Sequence, residues 1–335
     1  MNRLFFSIGI LCFLTAPVYS DSLTYQGKSI DVSEWKESDG MVKFVYKNLW
    51  GFADTGSMKA VIPPKYSGAS DFSGGKALVL KEFGLQTPSM KFAWIDKKGK
   101  ETPYSFSIPS KLKGGTPVYY TAGDKLYVIS KNGVNLRESA SLNGKVMMNV
   151  PHGSEVTVSE SPSAKNAVSV GNIPGYWVKV VYNGKTGWLF DGFLSVLTPY
   201  SGSEKWIWNM VDRWKVSGIW KTHYDLGIYY LTHDDENKIP YGQLWQIDMT
   251  YYPGTRVSLA QLNVNYEGGV TVHYIFAGLR QFEVFQQIKT AGVIPDDTVY
   301  QGDEEIYTYS TGEYSSFEIK ETEEGLVVLT TYSAD

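Results

Sequence analysis

The chain has 335 residues, a net charge of −4 and a single cysteine, Cys12. The mildly acidic charge and the lack of a basic block argue against nucleic acid and anionic membrane surfaces as partners. Because Cys12 lies in the leader predicted below, the rest of the chain has no thiol for disulfides, thiolate zinc sites or a cysteine nucleophile.

Residues 1–20 have the pattern of a secretory signal peptide. One basic residue, Arg3, precedes an apolar run from Leu4 to Ala16, and Val18 and Ser20 stand at the −3 and −1 positions of a cleavage site. The apolar run is too short to remain as a membrane span. The sequence therefore predicts an exported protein, periplasmic or secreted, with cleavage near Ser20 and no transmembrane segment afterwards.

Residues 21–115 open the folded part with a strand, a turn and a returning strand. Leu49–Asp54 and Ala60–Ile62 flank an Asp-Thr-Gly turn, and Pro63-Pro64 is expected to end the second strand because proline donates no ladder hydrogen bond. A third strand is predicted within Phe72–Val79. This run resembles the WG repeat, a bacterial β unit named for its Trp-Gly pair.

A second, shortened copy of this unit is predicted at Phe92–Pro103. Such units bury their faces only against neighbours, so Leu23–Tyr46 is expected to supply capping strands. Asp54 and Asp96 hold equivalent positions and are interpreted as turn formers rather than as paired catalytic carboxylates. Lys111–Gly123 is interpreted as a linker to the next domain.

The clearest local pattern lies in residues 124–197. Trp177–Tyr182 alternates with the period of a half-buried strand, Asn183-Gly184 suits a type I′ hairpin turn, and Lys185–Phe190 returns. Together with the N-x-R-x-x-x-S opening at Asn135–Ser141, this region resembles the bacterial SH3 (SH3b) family. The resemblance implies a small β barrel that binds a peptide, a protein or a peptidoglycan-type ligand.

Aromatic side chains of this region are the candidate ligand contacts, namely Tyr176, Trp177, Tyr182 and Trp188. Strand alternation sends neighbouring residues to opposite faces, so at least two of the four are expected in the core. A polar insertion, Ser159–Pro174, lengthens one loop on the ligand side of the predicted domain.

Residues 203–335 are predicted as one short helix followed by antiparallel strands. Trp206, Met210, Val211 and Trp214 recur at helical spacing. Eight or nine strand patterns follow, among them Gln281–Gln287, and predict a meander that forms a barrel or a strongly curved sheet. Gly218–Trp220 is similar to the G-x-W that opens lipocalins, which implies a small apolar ligand if the barrel is closed.

No catalytic residue, metal site or cofactor is predicted. His233–Glu236 groups several potential metal ligands, but no second group stands at a recognisable spacing, and these residues are interpreted as a turn. A nucleophilic serine in a G-x-S-x-G turn is not present.

The sequence thus predicts an all-β, multi-module protein: WG-type β repeats, an SH3-like small barrel, and a C-terminal antiparallel β meander with one short preceding helix. The function expected first is that of a non-enzymatic binding or scaffold protein of the bacterial envelope. Two alternatives are a small apolar ligand binder that uses the C-terminal barrel, and a cell-wall enzyme targeted by its SH3b domain.

Overall fold

The computed structural model describes residues 22–31, 36–83, 90–104, 118–202, 207–217, 220–227, 244–254, 256–266, 269–300, 315–322 and 325–334. The predicted signal peptide, the His233–Glu236 cluster and most of the predicted linker lie outside the described residues.

The N-terminal module, residues 22–104, consists of a hairpin and two small antiparallel sheets. The hairpin pairs β1 with β2, the first sheet has the order β3-β4-β5, and the second has the order β6-β7-β8-β9. The strands are β1 (Ser22–Tyr25), β2 (Lys28–Asp31), β3 (Met41–Tyr46), β4 (Leu49–Asp54), β5 (Lys59–Tyr66), β6 (Gly68–Ala69), β7 (Lys76–Phe83), β8 (Met90–Asp96) and β9 (Glu101–Tyr104).

Two cores hold this module together, and they confirm the predicted capping strands. Trp50 and Phe52 pack with Ala77 and Val79, which joins the first sheet to the second. On the opposite side, Leu23 of the hairpin is buried in a second cluster that includes residues of β3 and β4. The repeat unit therefore gains its neighbours from both sides of the sequence.

Asp54 and Asp96 are turn formers, as predicted. The Asp54 Oδ1 atom accepts hydrogen bonds from the backbone N–H of Ser57 (2.8 Å) and from its hydroxyl (2.7 Å). The Asp96 Oδ1 atom accepts the backbone N–H groups of Lys98 and Lys100, both at 2.9 Å. These bonds, made to each carboxylate at its own turn, hold the pKa of both aspartates below the ordinary value.

The expectation that Pro63-Pro64 ends the second strand is wrong. β5 continues to Tyr66, which pairs with Trp50, whereas Ile62 pairs with Phe52. Three residues of β5 therefore oppose one residue of β4, and both prolines lie in this bulge, where no ladder N–H is required. The bulge brings the backbone against Gly51: a Cβ atom there would lie 2.7 Å from the Ile62 carbonyl oxygen and from the Pro64 nitrogen.

Gly51→Ala is therefore expected to lower the free energy of unfolding by about 1–3 kcal/mol, because backbone atoms of the bulge have to move to admit the methyl group. Gly56→Ala is the matched control, since its Cβ would meet only the Asp54 Oδ1 atom, at an ordinary 3.5 Å. Urea denaturation of both variants measures the difference. Equal midpoints for the two would show that the bulge does not require glycine.

The middle module, residues 118–197, is a sheet that wraps around its own core. The strand order is β12-β11-β16-β15-β13-β10-β17, with β14 paired to β15. The strands are β10 (Lys125–Val128), β11 (Val134–Arg137), β12 (Val146–Val150), β13 (Glu155–Val158), β14 (Ala167–Val170), β15 (Ile173–Tyr182), β16 (Lys185–Phe190) and β17 (Leu194–Ser195).

Aliphatic residues from all seven strands of the main path fill this core, including Leu126, Leu136, Val180 and Leu189. The predicted hairpin is confirmed, with Trp177 paired to Phe190 and Tyr182 paired to Lys185. Asn183 (φ 48°) and Gly184 (φ 73°) adopt the two positive φ values of the expected turn.

The C-terminal module contains two helices and one six-stranded antiparallel sheet of order β18-β19-β20-β21-β23-β22. The predicted first helix is confirmed, with Met210, Val211 and Trp214 buried. The elements are α1 (Ile207–Val216), β18 (Tyr224–Asp225), β19 (Leu244–Tyr252), β20 (Ser258–Tyr266), β21 (Gly269–Ala277), α2 (Gln281–Thr290), β22 (Ser315–Glu321) and β23 (Val327–Ala334).

The predicted antiparallel β domain is confirmed, but one strand prediction is wrong and one of the two predicted architectures, the closed barrel, is excluded. Gln281–Gln287 is not a strand but belongs to α2, whose first turn is closed by the Arg280 backbone N–H donating to the Glu283 carboxylate. The described strands also form no closed barrel, because β18 and β22 lie at opposite ends of the strand order. The apolar-ligand alternative required a barrel interior and loses its basis.

Both faces of the C-terminal sheet are buried. On one face, Met249, Leu262 and Ile275 pack with residues of β7 and β8 of the N-terminal module, and the Phe92 and Tyr251 rings stack at 4.9 Å. The other face is covered by α1, α2 and part of the middle module in one continuous core. The sheet therefore connects all three modules, rather than ending a string of separate domains.

Candidate binding surface

Four side chains on the outer surface of the middle module form a row across adjacent strands. Val146 pairs with Arg137, Arg137 with Trp188, and Trp188 with Lys179. Direct cross-strand partners point to the same side of a sheet, with Cβ atoms about 5 Å apart. We call these four residues the aromatic row; Leu142, in the loop that joins β11 to β12, is also exposed.

The aromatic row places Trp188 between two cations, Arg137 and Lys179, with Val146 at one end. Val146 is 45% exposed and Trp188 half-buried. The Lys179 Nζ atom lies 5.9 Å from the centroid of the Trp188 ring and 2.5 Å from a carboxylate oxygen of Glu160. On the other side, the Arg137 guanidinium donates a hydrogen bond to the Gly144 carbonyl oxygen (2.7 Å). This surface offers stacking, aliphatic contact and positive charge side by side.

The same face continues from the aromatic row into a buried contact. Trp177 and Phe190, the next pair on this face of the hairpin, are 5% and 3% exposed and belong to the core shared with the C-terminal module. Trp188 packs against the edge of that core. One half of the outer hairpin face is thus covered within the chain, and the other half faces solvent.

The four predicted ligand contacts do not form one groove. Tyr176 and Trp177 are buried, whereas Tyr182 and Trp188 are half-buried. Tyr182 packs against the core of the middle module, and its hydroxyl lies 3.3 Å from that of Ser154. Only Trp188 belongs to the aromatic row. Arg137 belongs to the sequence motif, but it lies beside Trp188 only because β11 and β16 are neighbours in the sheet. The sequence does not show this strand order, so the contribution of Arg137 to the surface could not be predicted.

The polar insertion Ser159–Pro174 forms a second hairpin. It contains a short 3-10 helix, Ala164–Asn166, and β14, whose Val168 pairs with Gly175 of β15. Val168 and Val170 pack against the core shared with the C-terminal module. The insertion therefore takes part in joining the two modules.

Comparison with known families covers two parts of this architecture. Residues 132–195 match the family model of the bacterial SH3 domain. Residues 50–82 match the model of the WG-containing repeat, which spans the first predicted copy and not the second. Neither the curated proteins nor the solved structures contain a significant match to the chain. The middle module is called the SH3 domain from here on.

A buried ion cluster, Asp191, Arg280 and Glu283, fixes the SH3 domain to α2. Asp191 begins the 3-10 helix after β16, and Arg280 precedes the first residue of α2. The Arg280 Nη1 atom lies 2.7 Å from the Asp191 Oδ2 atom, and its Nε atom lies 2.9 Å from the Glu283 Oε2 atom. Asp191 also accepts the Tyr120 hydroxyl and the Tyr176 backbone N–H, both at 2.6 Å.

Each charged group in this cluster contacts a group of opposite charge inside the protein. The side chains of Asp191, Arg280 and Glu283 are 0%, 3% and 4% exposed. Burial raises the pKa of Glu283, although Arg280 beside it acts in the opposite direction. Burial alone would lower the pKa of Arg280, but Asp191 and Glu283 outweigh it and raise that pKa. The sequence carries no signal for this cluster, because its members lie 89 and 92 residues apart along the chain from Asp191.

Two further findings concern the described residues alone. Neither α1 nor α2 is long and apolar enough to cross a membrane. In the same part of the chain, no three His, Cys, Asp or Glu side chains come together as a set that could hold a metal ion.

Proposed function

We propose that this protein is an exported, non-enzymatic binding or scaffold protein of the bacterial envelope, which contacts a peptide, a protein or a cell-wall component through the aromatic row of its SH3 domain. The family matches support a binding module associated with the cell wall, since domains of this family bind peptidoglycan or proteins. The signal-peptide pattern of residues 1–20 supports export.

One observation carries the proposal. The outer hairpin face is divided, with Trp177 and Phe190 buried against the C-terminal module and Trp188 left half-exposed between Arg137 and Lys179. Tryptophan and arginine are the residues on which binding energy concentrates in interfaces. The division leaves one compact patch of the SH3 domain available for a partner.

Trp188→Ala is expected to weaken binding of the full mature chain to purified sacculi by about tenfold or more, because the centre of the aromatic row is lost. Co-sedimentation over a range of sacculus concentrations measures the change. The matched control is Trp208→Ala, which removes a tryptophan that is 43% exposed on α1. Both variants are first checked for an unchanged thermal midpoint.

Point variants are preferable to deletion of residues 124–197, since deletion would uncover the core that the SH3 domain shares with the C-terminal module. Equal retention of Trp188→Ala and Trp208→Ala on sacculi would remove the aromatic row as the wall contact. If the parent chain itself is not retained, a cell-wall ligand is excluded and a peptide or protein partner remains within the proposal.

A further inference from the structure

A cleft of about 470 Å³ opens between the SH3 domain and the C-terminal module, away from the aromatic row. The SH3 domain contributes the loop around Lys131 and the β14–β15 turn, and the C-terminal module contributes α2 and the segment Asp296–Tyr300. The Thr290 hydroxyl donates a hydrogen bond to the Ile129 carbonyl oxygen (2.6 Å), which ties the two sides together. The cleft is therefore a preformed feature of the docked modules.

The apolar part of the cleft suits an aliphatic side chain. Phe285 and Tyr300 line it but are only 0% and 3% exposed, so neither ring presents an open face on which a sugar could stack. The accessible apolar surface comes from the half-buried Val170 and Phe193 and from Val299, which is 58% exposed. An aliphatic group placed there would bury surface that now faces water.

A glutamine in the cleft lining has no hydrogen-bond partner among the described residues. Gln286 of α2 is 9% exposed and lines the cleft, and its side-chain amide makes no hydrogen bond to any other described residue. Because no protein group occupies this amide, it is available to exchange its hydrogen bonds with water for hydrogen bonds with a ligand. A glutamine amide offers one donor group and one acceptor, which complement the C=O and N–H of a peptide unit.

An exposed ion pair lies at the rim of the cleft. The Lys131 Nζ atom lies 2.5 Å from the Asp296 Oδ1 atom in an ion pair whose side chains are 41% and 69% exposed. Exposed ion pairs contribute little to stability, so a ligand carboxylate can replace Asp296 at low cost. A second cation, Lys289, stands in the lining and donates to the Thr298 carbonyl oxygen (2.6 Å).

We propose that this cleft binds a short peptide that carries an aliphatic side chain and a free carboxylate. The peptide unit pairs with the Gln286 amide, the aliphatic group covers Val170 and Val299, and the carboxylate meets Lys131. This site is separate from the aromatic row and does not depend on the function proposed for that surface.

Calorimetric titration of the full mature chain with the tripeptide Ala-Leu-Ala, free at both ends, tests the proposal. Saturable binding at millimolar or lower concentration is expected, and the C-terminally amidated tripeptide should bind several-fold more weakly. N,N′-Diacetylchitobiose, which carries amide groups on sugar rings, should not bind. Absence of tripeptide binding, or binding of N,N′-diacetylchitobiose alone, would overturn the proposal.

Substitutions of cleft residues test whether the tripeptide binds at this site. Gln286→Leu is expected to weaken tripeptide binding by about tenfold, because the leucine keeps the volume and removes the amide. Lys131→Met should weaken binding of the tripeptide with a free carboxylate and leave binding of the amidated tripeptide unchanged. The matched control is Lys125→Met, which breaks the exposed Lys125–Glu155 ion pair of the same domain outside the cleft. Trp188→Ala, which alters the aromatic row, should leave tripeptide binding unchanged. If the Gln286→Leu variant binds the tripeptide as tightly as the parent, the cleft is not the binding site.

Discussion

Replacing Arg280 by methionine is expected to lower the free energy of unfolding by about 3–5 kcal/mol, the largest effect of any single substitution considered for this chain. The guanidinium is the only cation in contact with the buried carboxylates of Asp191 and Glu283 among the described residues. Without it, two carboxylates remain in the core with no compensating charge. Methionine keeps much of the aliphatic volume, so the loss reports the charge rather than a cavity.

Denaturant unfolding followed by tryptophan fluorescence measures this effect. The parent is expected to lose its SH3 domain and C-terminal module in one transition, because a single core spans both. In Arg280→Met the SH3 domain and the C-terminal module should unfold in two separate transitions, with the SH3 domain unfolding at the lower denaturant concentration. Lys125→Met, which removes an exposed ion pair of the same domain, serves as the control and should unfold like the parent. A change below about 1 kcal/mol for Arg280→Met would contradict the assigned role.

Acidification is expected to destabilise the fold through His273. This side chain lies on β21 with its Nδ1 atom 2.9 Å from the Thr330 hydroxyl, on the face covered by the N-terminal module. Burial lowers the pKa of His273 to about 4, although the Glu318 carboxylate acts to raise it. The unfolded chain takes up this proton near pH 6.5, and the folded chain does so only near pH 4.

The contribution of His273 is therefore complete above pH 6.5 and is lost as the pH falls towards 4, in total on the order of 3 kcal/mol. Glu283 contributes with the opposite sign, since a raised carboxyl pKa favours the folded state in acid. Comparison of the parent with His273→Asn isolates the histidine, because asparagine keeps a hydrogen-bonding group and does not titrate. Parallel stability curves for the two proteins between pH 7 and pH 4 would contradict this prediction.

Local patterns in the sequence were sufficient for much of the fold. The alternation from Trp177 to Tyr182 predicted β15, and Asn183-Gly184 predicted its turn, because both depend on residues adjacent in the chain. The aspartate turns at Asp54 and Asp96 and the first helix follow from equally short-range chemistry. Each of these features depends on residues close together in the chain, so the tertiary packing around it does not alter the prediction.

Other features depend on contacts that no local pattern encodes. In α2, Phe282 and Val284 alternate as in a strand, while Phe282, Phe285 and Ile288 recur as in a helix, and all four are buried. A helix that is buried on every side has no contrast between an apolar and a polar face, and a prediction from periodicity depends on that contrast. For the same reason, Trp177 could not be distinguished from Trp188 as a candidate ligand contact: only the docked C-terminal module covers one and leaves the other exposed.

The interior position of β23 in the C-terminal sheet means that the sheet cannot be completed until the end of the described chain has been synthesised. β23 lies between β21 and β22, yet it is translated after every other strand described. Until it arrives, the sheet is incomplete, and the apolar surfaces of β7, β8 and the SH3 hairpin that it covers lack their final support. A chain that still lacks β23 therefore exposes apolar surface that the complete fold buries, and such surface promotes aggregation.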